Sequence, residues 1–529
     1  MLVLPRRYSL LVFSVLAVVL ILVTLPYIYA AQSVGSGAVF GGFLLNPLDG
    51  NSYLAKMYEG WRGDWRFTLP YSAQSGKGAY LFLFYLFLGH LAGALGFSLP
   101  LTFHFARLLG ALALLLALLK FYSTLMPDPK RYVLAFVLSA LGSGMGWLAV
   151  PFGAFTSDFW VAEAYPFLSA YASPHFSFGL ALLLWIFSMW VNRGHRLSWS
   201  GWPLGVAALA LAIVSPFGVV VALVVLGGLL AWELWPSLAR EWFEGFGRRL
   251  LASANPFFWV LLGGGPLMLY DLWIARSDPL LAGWNAQNLT PSPPLWDLVL
   301  SFSPLIALAL PGAWVVWKRG QHKLHLLLAW SVLGLGLLYV PFELQRRFML
   351  GIFIPLAGLA ALGLEKLSGE NLQRARFLAV IALILMLPTN LLVLLAARHG
   401  IQTRDPMLYL TRGEVDAFAW LVHNTPSDSL ILAAPETGLF IPAYSGRRVI
   451  YGHPFETVNA GEEKAWVTRF FEQEASSLNP DQAINLLVQR KVNYIFVGPR
   501  ERELGGLPFI TNQVPVYSSE GISIYALPG

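Results

Sequence analysis

Long apolar runs separated by short polar stretches dominate about the first 400 residues of this chain. A helix needs about 20 residues to cross a hydrocarbon layer about 30 Å thick. Runs that meet this need fall near 9–31, 103–123, 131–153, 175–192, 201–215, 217–233, 255–275, 297–317, 324–341, 347–364 and 376–397. The pattern predicts a mainly α, polytopic membrane bundle of about eleven spans. A further stretch, 79–97, carries Tyr80, Phe82, Phe84, Tyr85 and Phe87, which suits a juxtamembrane helix lying at the interface. The spans 201–215 and 217–233 meet at Ser215-Pro216-Phe217-Gly218. Proline and glycine there fit a tight turn between two helices, and one long kinked helix is the competing reading.

After Arg398 the pattern turns polar and no further run can span. Gly413 to His423 reads as an amphipathic helix closed by Asn424-Thr425-Pro426. Leu430 to Ala433, Val449 to Tyr451 and Tyr494 to Val497 read as short buried strands, with helices at about 462–475 and 481–490. The chain thus divides into a membrane domain, 1–398, and a C-terminal α/β domain, 399–529. No glycine-rich phosphate loop follows any of these strands, since Gly498-Pro499-Arg500 lacks the spacing.

Composition agrees: 57% of residues are hydrophobic and 12% charged, half the charged share of a soluble domain. The net charge of +6 does not indicate a nucleic-acid partner, because most Lys and Arg sit in short loops beside apolar segments. Without cysteine there are no disulfides and no thiolate metal sites. Arg6-Arg7 and the run to about Ala31 imitate a signal peptide, but roughly 24 residues exceed its usual apolar core. The segment reads as a retained first helix.

Charge also sets sidedness. With 79–97 outside the bilayer, Arg6, Arg7, Lys120, Lys130, Arg131, Arg193, Arg196, Arg240, Arg248, Arg249, Lys318, Arg319, Lys323, Lys366, Arg374 and Arg376 all fall on one side. Only Lys56, Arg62, Arg66, Lys77, Arg107, Arg276, Arg346 and Arg347 fall on the other before residue 398. Positively charged loops stay inside. The N-terminus is therefore expected in the cytoplasm, and the first loop, 32–78, and the C-terminal domain outside, in a cell inner or plasma membrane.

The expected outer layer collects the candidate chemistry. Asp49, in Asn46-Pro47-Leu48-Asp49-Gly50-Asn51, is a carboxylate placed to act as a general base on a hydroxyl. Pro-Leu-Asp-Gly is equally a turn signature, and both can hold. Arg346 and Arg347 run against the topological bias, and their planar forks suit phosphate oxygens. Snorkelling, or an ion pair with Glu343, is the alternative. Asn46, Tyr53 and Arg62 are candidate substrate contacts in the first loop. His175 opens a helix after Ser173-Pro174, as a cap or a ligand. Trp284 and Asn285 can hold a sugar by stacking and amide hydrogen bonds, or serve as interfacial residues. Asp158 and Glu163 can join Asp49 around a divalent cation such as Mg or Mn, though no spacing demands it. His453 and Glu456 mark the most distinctive patch of the C-terminal domain, with no role assigned.

This arrangement resembles the GT-C-type membrane glycosyltransferases. The likeness rests on a first helix entering from the cytoplasm, a long first outer loop with an early acid, the 79–97 helix, Arg107 at the head of the next span, and a C-terminal outer domain. It covers roughly residues 1–400 by architecture more than by identity, and looks closest to bacterial mannosyltransferase-like membrane proteins. The resemblance implies a polyprenyl-phosphate sugar donor, Asp49 as catalytic base, Arg346 and Arg347 at the donor phosphate, and a glycan, lipid or protein acceptor. Asn46 stands where many members carry a second acid. Two other classes compete. A transporter or flippase would show ionisable groups within spans and inverted repeats, but the spans hold few charges and no repeat is seen; a non-catalytic scaffold would not need Asp49.

Overall fold

The structure is a computed structural model that describes residues 5–35, 37–192, 201–238, 246–369, 371–474, 478–507 and 513–528. Arg193, Arg196 and Arg240, and the side chains of Arg248 and Arg249, lie outside the described residues.

Apolar runs become helices, because a backbone in lipid must satisfy its own hydrogen bonds. Among the described residues, Arg6–Gln32, Leu99–Leu125, Pro174–Val191, Pro216–Trp235, Ser253–Ser277, Gln345–Ser368 and Leu372–Thr403 are long and apolar enough to cross a membrane. Two more expected spans are bent pairs: Pro129–Leu141 with Gly146–Phe152 at 41°, and Leu295–Ser301 with Leu305–Arg319 at 80°. The expected spans 201–215 and 324–341 form helices Trp202–Val214 and His322–Leu337, of 13 and 16 residues. At 1.5 Å per residue these reach about 20 and 24 Å, short of the hydrocarbon thickness. Among the described residues, the eleven expected runs thus form seven single long helices, two bent pairs and two shorter apolar helices. The stretch 79–97 forms the helix Leu83–Leu95, too short to span. Ser215 breaks the chain between Trp202–Val214 and Pro216–Leu238, as the two-helix reading requires.

Contacts divide the chain into two units, each taken by itself. The first comprises Met1–Pro26, Phe105–Tyr270 and Thr290–Arg398. At its heart the helix Phe353–Ser368 is buried from Phe353 through Leu364. It packs on Leu305–Arg319, Pro129–Leu141 and His322–Leu337. By contrast the part of Ser253–Ser277 in this unit exposes Phe258, Leu261 and Leu269. Such an exterior belongs to a protein solvated by lipid. This is a multi-pass membrane protein.

The second unit comprises Tyr27–His104, Asp271–Leu289 and His399–Gly529. Its five-stranded sheet runs, edge to edge, Arg448–Val449, Leu430–Leu432, Tyr494–Val497, Ile522–Ala526 and Tyr517–Ser519. The first three strands are parallel and the last two antiparallel to their neighbours. Composition alone cuts the chain at residue 398, whereas contacts draw the first loop into this unit. Ala38–Phe40 pairs with Tyr409–Thr411, and the helix Pro47–Trp61 packs on Pro435–Ser445. In the helix Pro435–Ser445, Pro435 occupies the first turn, where its missing N–H costs nothing.

Pro47–Trp61 also packs on Leu83–Leu95, and glycine sets their separation. A Cβ on Gly60 would strike the Leu86 carbonyl, and one on Gly89 the Met57 carbonyl. Gly89→Ala is therefore expected to force these helices apart, costing about 1–3 kcal/mol as an overpacking change. At Gly93 a Cβ meets only the Trp61 ring and carbonyl at 3.4 and 3.5 Å. Gly93→Ala should unfold like the parent in thermal melts of the detergent-purified protein. Equal melting of the two variants would refute the close approach.

Candidate active site

Asn46-Pro47-Leu48-Asp49 is not a loop turn; it opens the helix Pro47–Trp61. Pro47 takes the first position, where its fixed φ suits a helix. Asn46 caps it from a left-handed conformation (φ 49°), which Asn tolerates better than most residues. Its Nδ2 donates to Asp49 Oδ2 at 2.5 Å, and Asp49 N donates to Asn46 Oδ1 at 3.5 Å. An acid in the first turn also complements the positive end of the helix dipole. One carboxylate oxygen is thus tethered, while 35% of the side chain stays exposed and can be reached.

The distinctive patch of the C-terminal segment lies against this helix. Nε2 of His453, itself 1% exposed, stands 3.8 Å from Asp49 Oδ1. Nδ1 of the same ring accepts the backbone N–H groups of Phe455 and Glu456 at 3.1 and 3.2 Å. One helical turn beyond Ser52, Lys56 is buried and donates to Glu456 Oε1 and Ser52 Oγ, both at 2.7 Å. Ser52 Oγ in turn donates to Glu456 Oε1 at 3.0 Å. The Lys56 ammonium faces the rings of Phe82, Phe67 and Tyr53 at 4.3, 5.3 and 5.7 Å.

Burial pushes the His453 ring below its ordinary value, against the Glu456 and Asp49 carboxylates, which favour its charged form. Burial acts to raise the Glu456 carboxyl, but Lys56, His453 and the hydrogen bonds from Lys56 and Ser52 outweigh it and leave it below its ordinary value. Glu59, on the same helix, accepts the Thr68 N–H and hydroxyl. Burial pushes it up to about 7, against those hydrogen bonds.

Arg346 and Arg347 lie in the first unit, in the turn Gln345–Met349. Arg347 pairs with Glu163 at 3.6 Å. The Arg346 guanidinium sits 4.5 Å from the centre of the Trp160 ring. Asp158 Oδ2 accepts the Gly146 N–H at 3.0 Å, and Oδ1 the hydroxyls of Thr156 and Ser301 at 2.6 and 3.2 Å. Burial pushes its carboxyl above the ordinary range, against these hydrogen bonds. Asp158 is thus saturated by protein donors, and Glu163 Oε1 has the Arg347 guanidinium at 3.6 Å but no hydrogen bond. Among the described residues no three His, Asp or Glu side chains gather where an ion could sit. These residues do not fit a divalent cation, and no step is routed through one.

No protein-family model matches the chain, and no curated protein sequence does. Solved structures do. The oligosaccharyltransferase AglB of Archaeoglobus fulgidus, solved with an inhibitory peptide and a dolichol-phosphate, aligns over 92% of this chain and 69% of its own, with TM-score 0.54 and 15% identity. An Archaeoglobus fulgidus oligosaccharyltransferase tethered to an acceptor peptide aligns over 99% of this chain and 75% of its own, with TM-score 0.55 and 16% identity. The mycobacterial arabinofuranosyltransferase AftD aligns over 99% of this chain and 40% of its own, with TM-score 0.55 and 16% identity. The chain has the GT-C fold.

Within this GT-C fold the other sequence candidates take varied places. Tyr53 is buried and stacked on Tyr85, 4.3 Å between ring centres, so it walls the Lys56 cage. Arg62 ends the Pro47–Trp61 helix, donating to the carbonyls of Ser427 and Gly446 at 3.3 and 3.4 Å. Trp284 spends its N–H on the Phe455 carbonyl at 2.8 Å and so braces the His453 loop. Asn285 is half-buried on the same helix, Pro279–Gln287. His175, in the first unit, lies in the first turn of Pro174–Val191 with its ring 3.9 Å from that of Phe176. Lys56 and Ser52 are unforeseen members of the Asp49 neighbourhood. Their one sequence signal is a lysine four residues after a serine, on the helix face that also carries Asp49 and Glu59.

Proposed function

We propose that this protein is a membrane glycosyltransferase that moves a sugar from a polyprenyl-phosphate donor to a hydroxyl acceptor, with inversion, using Asp49 as base. The charge distribution along the chain supports a cytoplasmic N-terminus and reaction at the extracytoplasmic face. The observation that carries the reading is Asp49 itself. It is a reachable carboxylate, tethered at one oxygen, in the first turn of the helix after the first apolar span, in a fold shared with two kinds of glycosyl-transferring enzyme.

The chemistry balances with this chain's groups. Asp49 takes the proton of the acceptor hydroxyl as its oxygen attacks the anomeric carbon from the face opposite the phosphate. The bond from that carbon to the phosphate oxygen breaks, and the electron pair leaves with the polyprenyl phosphate. A guanidinium at the departing oxygen stabilises the charge that develops there, the part we give to Arg346 and Arg347. The lipid tail anchors the donor at a fixed depth, which lowers the entropic cost of alignment. Transfer of labelled sugar from a synthetic polyprenyl-phosphate donor by purified protein tests the reading, and its absence with every donor and acceptor class tried would sink it.

The two arginines differ in expected effect. Arg346→Ala should raise the donor KM about tenfold or more, with the fold intact, since it removes a charge-assisted phosphate contact. Arg347→Ala should also destabilise, because it strands Glu163, which is 5% exposed. Steady-state kinetics beside thermal melts separate the two. An unchanged donor KM in both variants would remove the phosphate role.

A further inference from the structure

We infer that His453 is a positioning residue that holds the free oxygen of Asp49 through its Nε2–H, an inference that rests on Asp49 being the base. A neutral imidazole carries one N–H and one acceptor nitrogen. Here two backbone N–H groups, of Phe455 and Glu456, point at Nδ1 and make it the acceptor. The proton therefore sits on Nε2, which faces Asp49 Oδ1 at 3.8 Å. Oδ2 is already held by Asn46 Nδ2 at 2.5 Å, so closure of the Nε2 contact gives the two oxygens separate holders. Such a pair fixes the carboxylate plane, which decides where the remaining lone pairs can meet an acceptor proton.

Nε2 is buried and makes no complete hydrogen bond, an arrangement that costs free energy until a partner closes in. Asp49 is the charged candidate, and the Leu48 carbonyl also bears on the ring. The 3.8 Å gap exceeds hydrogen-bond range, but catalytic contacts are often long without substrate and tighten when it binds. The ring is no proton shuttle. A proton on Nδ1 would face two N–H donors, so the route from Asp49 towards Glu456 is closed at that nitrogen.

The loop itself is held apart from Asp49. Thr457 Oγ1 accepts the N–H groups of Gly452 and His453 at 3.4 and 3.3 Å, and Trp284 holds the Phe455 carbonyl. A change at the far side of the ring can therefore be made without undoing the loop.

Two substitutions separate positioning from loop structure. His453→Asn keeps an amide oxygen near the Nδ1 position for the two backbone N–H groups and removes the Nε2 donor. His453→Gln returns an N–H donor to the reach of Nε2. The expected result is a fall in kcat of about 10- to 100-fold for Asn, with donor KM little changed, and recovery of most of that loss by Gln. Full kcat in the Asn variant, or equal losses in both, overturns the proposal. A readout that needs no turnover accompanies the kinetics. In ¹⁵N-histidine spectra the resonance that disappears in His453→Asn should show an Nε2–H tautomer and shift in Asp49→Asn. An Nδ1–H tautomer, or a signal blind to Asp49→Asn, overturns the proposal even if no sugar is transferred. Normal transfer by Asp49→Asn would instead remove the base assignment, and with it the positioning role.

Discussion

Asp49→Asn is expected to cut sugar transfer by about 10²- to 10⁴-fold, the usual share of a general base, while the protein folds as before. The amide keeps the shape of the side chain, and its oxygen can still accept from Asn46 Nδ2. What it loses is basicity, together with the first-turn charge, worth about 0.3–1 kcal/mol at a helix N-terminus. The side chain is 35% exposed, so the variant buries no uncompensated charge of its own. Transfer from a polyprenyl-phosphate donor in reconstituted vesicles, set beside a thermal melt, measures both arms. A variant that transfers sugar at the parent rate would end the assignment, and one that melts far lower would show that Asp49 serves the fold instead.

How much of this was legible in advance depends on the range over which each feature is determined. The apolar runs were readable because lipid solvation acts on each segment separately, so the helices of the membrane part lie where the runs lie. Hydropathy does not register a bend or an early helix end, so it does not show which runs form single long helices. Leu295–Ser301 and Leu305–Arg319 meet at an 80° bend, and Trp202–Val214 and His322–Leu337 stop after 13 and 16 residues. At Asp49 the sequence held two valid signals, and the weaker was chosen. Pro-Leu-Asp-Gly can form a turn, but Asn followed by Pro, with an acid in the first turn, is a helix start, and the apolar face of the helix between Pro435 and Ser445 supplies the packing that decides it. The partners of Asp49 were out of reach altogether. Lys56 and Glu456 are 400 positions apart and His453 lies as far from Asp49, and no local pattern records pairing at that distance. The same long-range packing uses the Trp284 indole N–H to brace the loop that carries His453, a contact that no local pattern records.

Breaking the Lys56–Glu456 pair is expected to have the largest effect on stability. Lys56 is 1% and Glu456 12% exposed, and their contact is 2.7 Å. Removing one member of a buried pair leaves a charge without water or partner, a loss of about 3–5 kcal/mol. Lys56→Met should therefore destabilise the protein strongly, and so should Glu456→Leu, which leaves the ammonium among Tyr53, Phe67 and Phe82 with only Ser52 as acceptor. Removing both should cost much less than the sum, because the aromatic cage that surrounds Nζ is equally suited to a methionine side chain. Denaturant unfolding of the three variants closes a double-mutant cycle, and a coupling below about 0.5 kcal/mol would refute a buried pair acting as a unit. The cycle also bears on function. Glu456 donates one of the two N–H groups that fix His453 Nδ1, through its backbone and not its carboxylate. If the double variant recovers its fold it should recover transfer as well, since the backbone that orients His453 against Asp49 is restored without either charge.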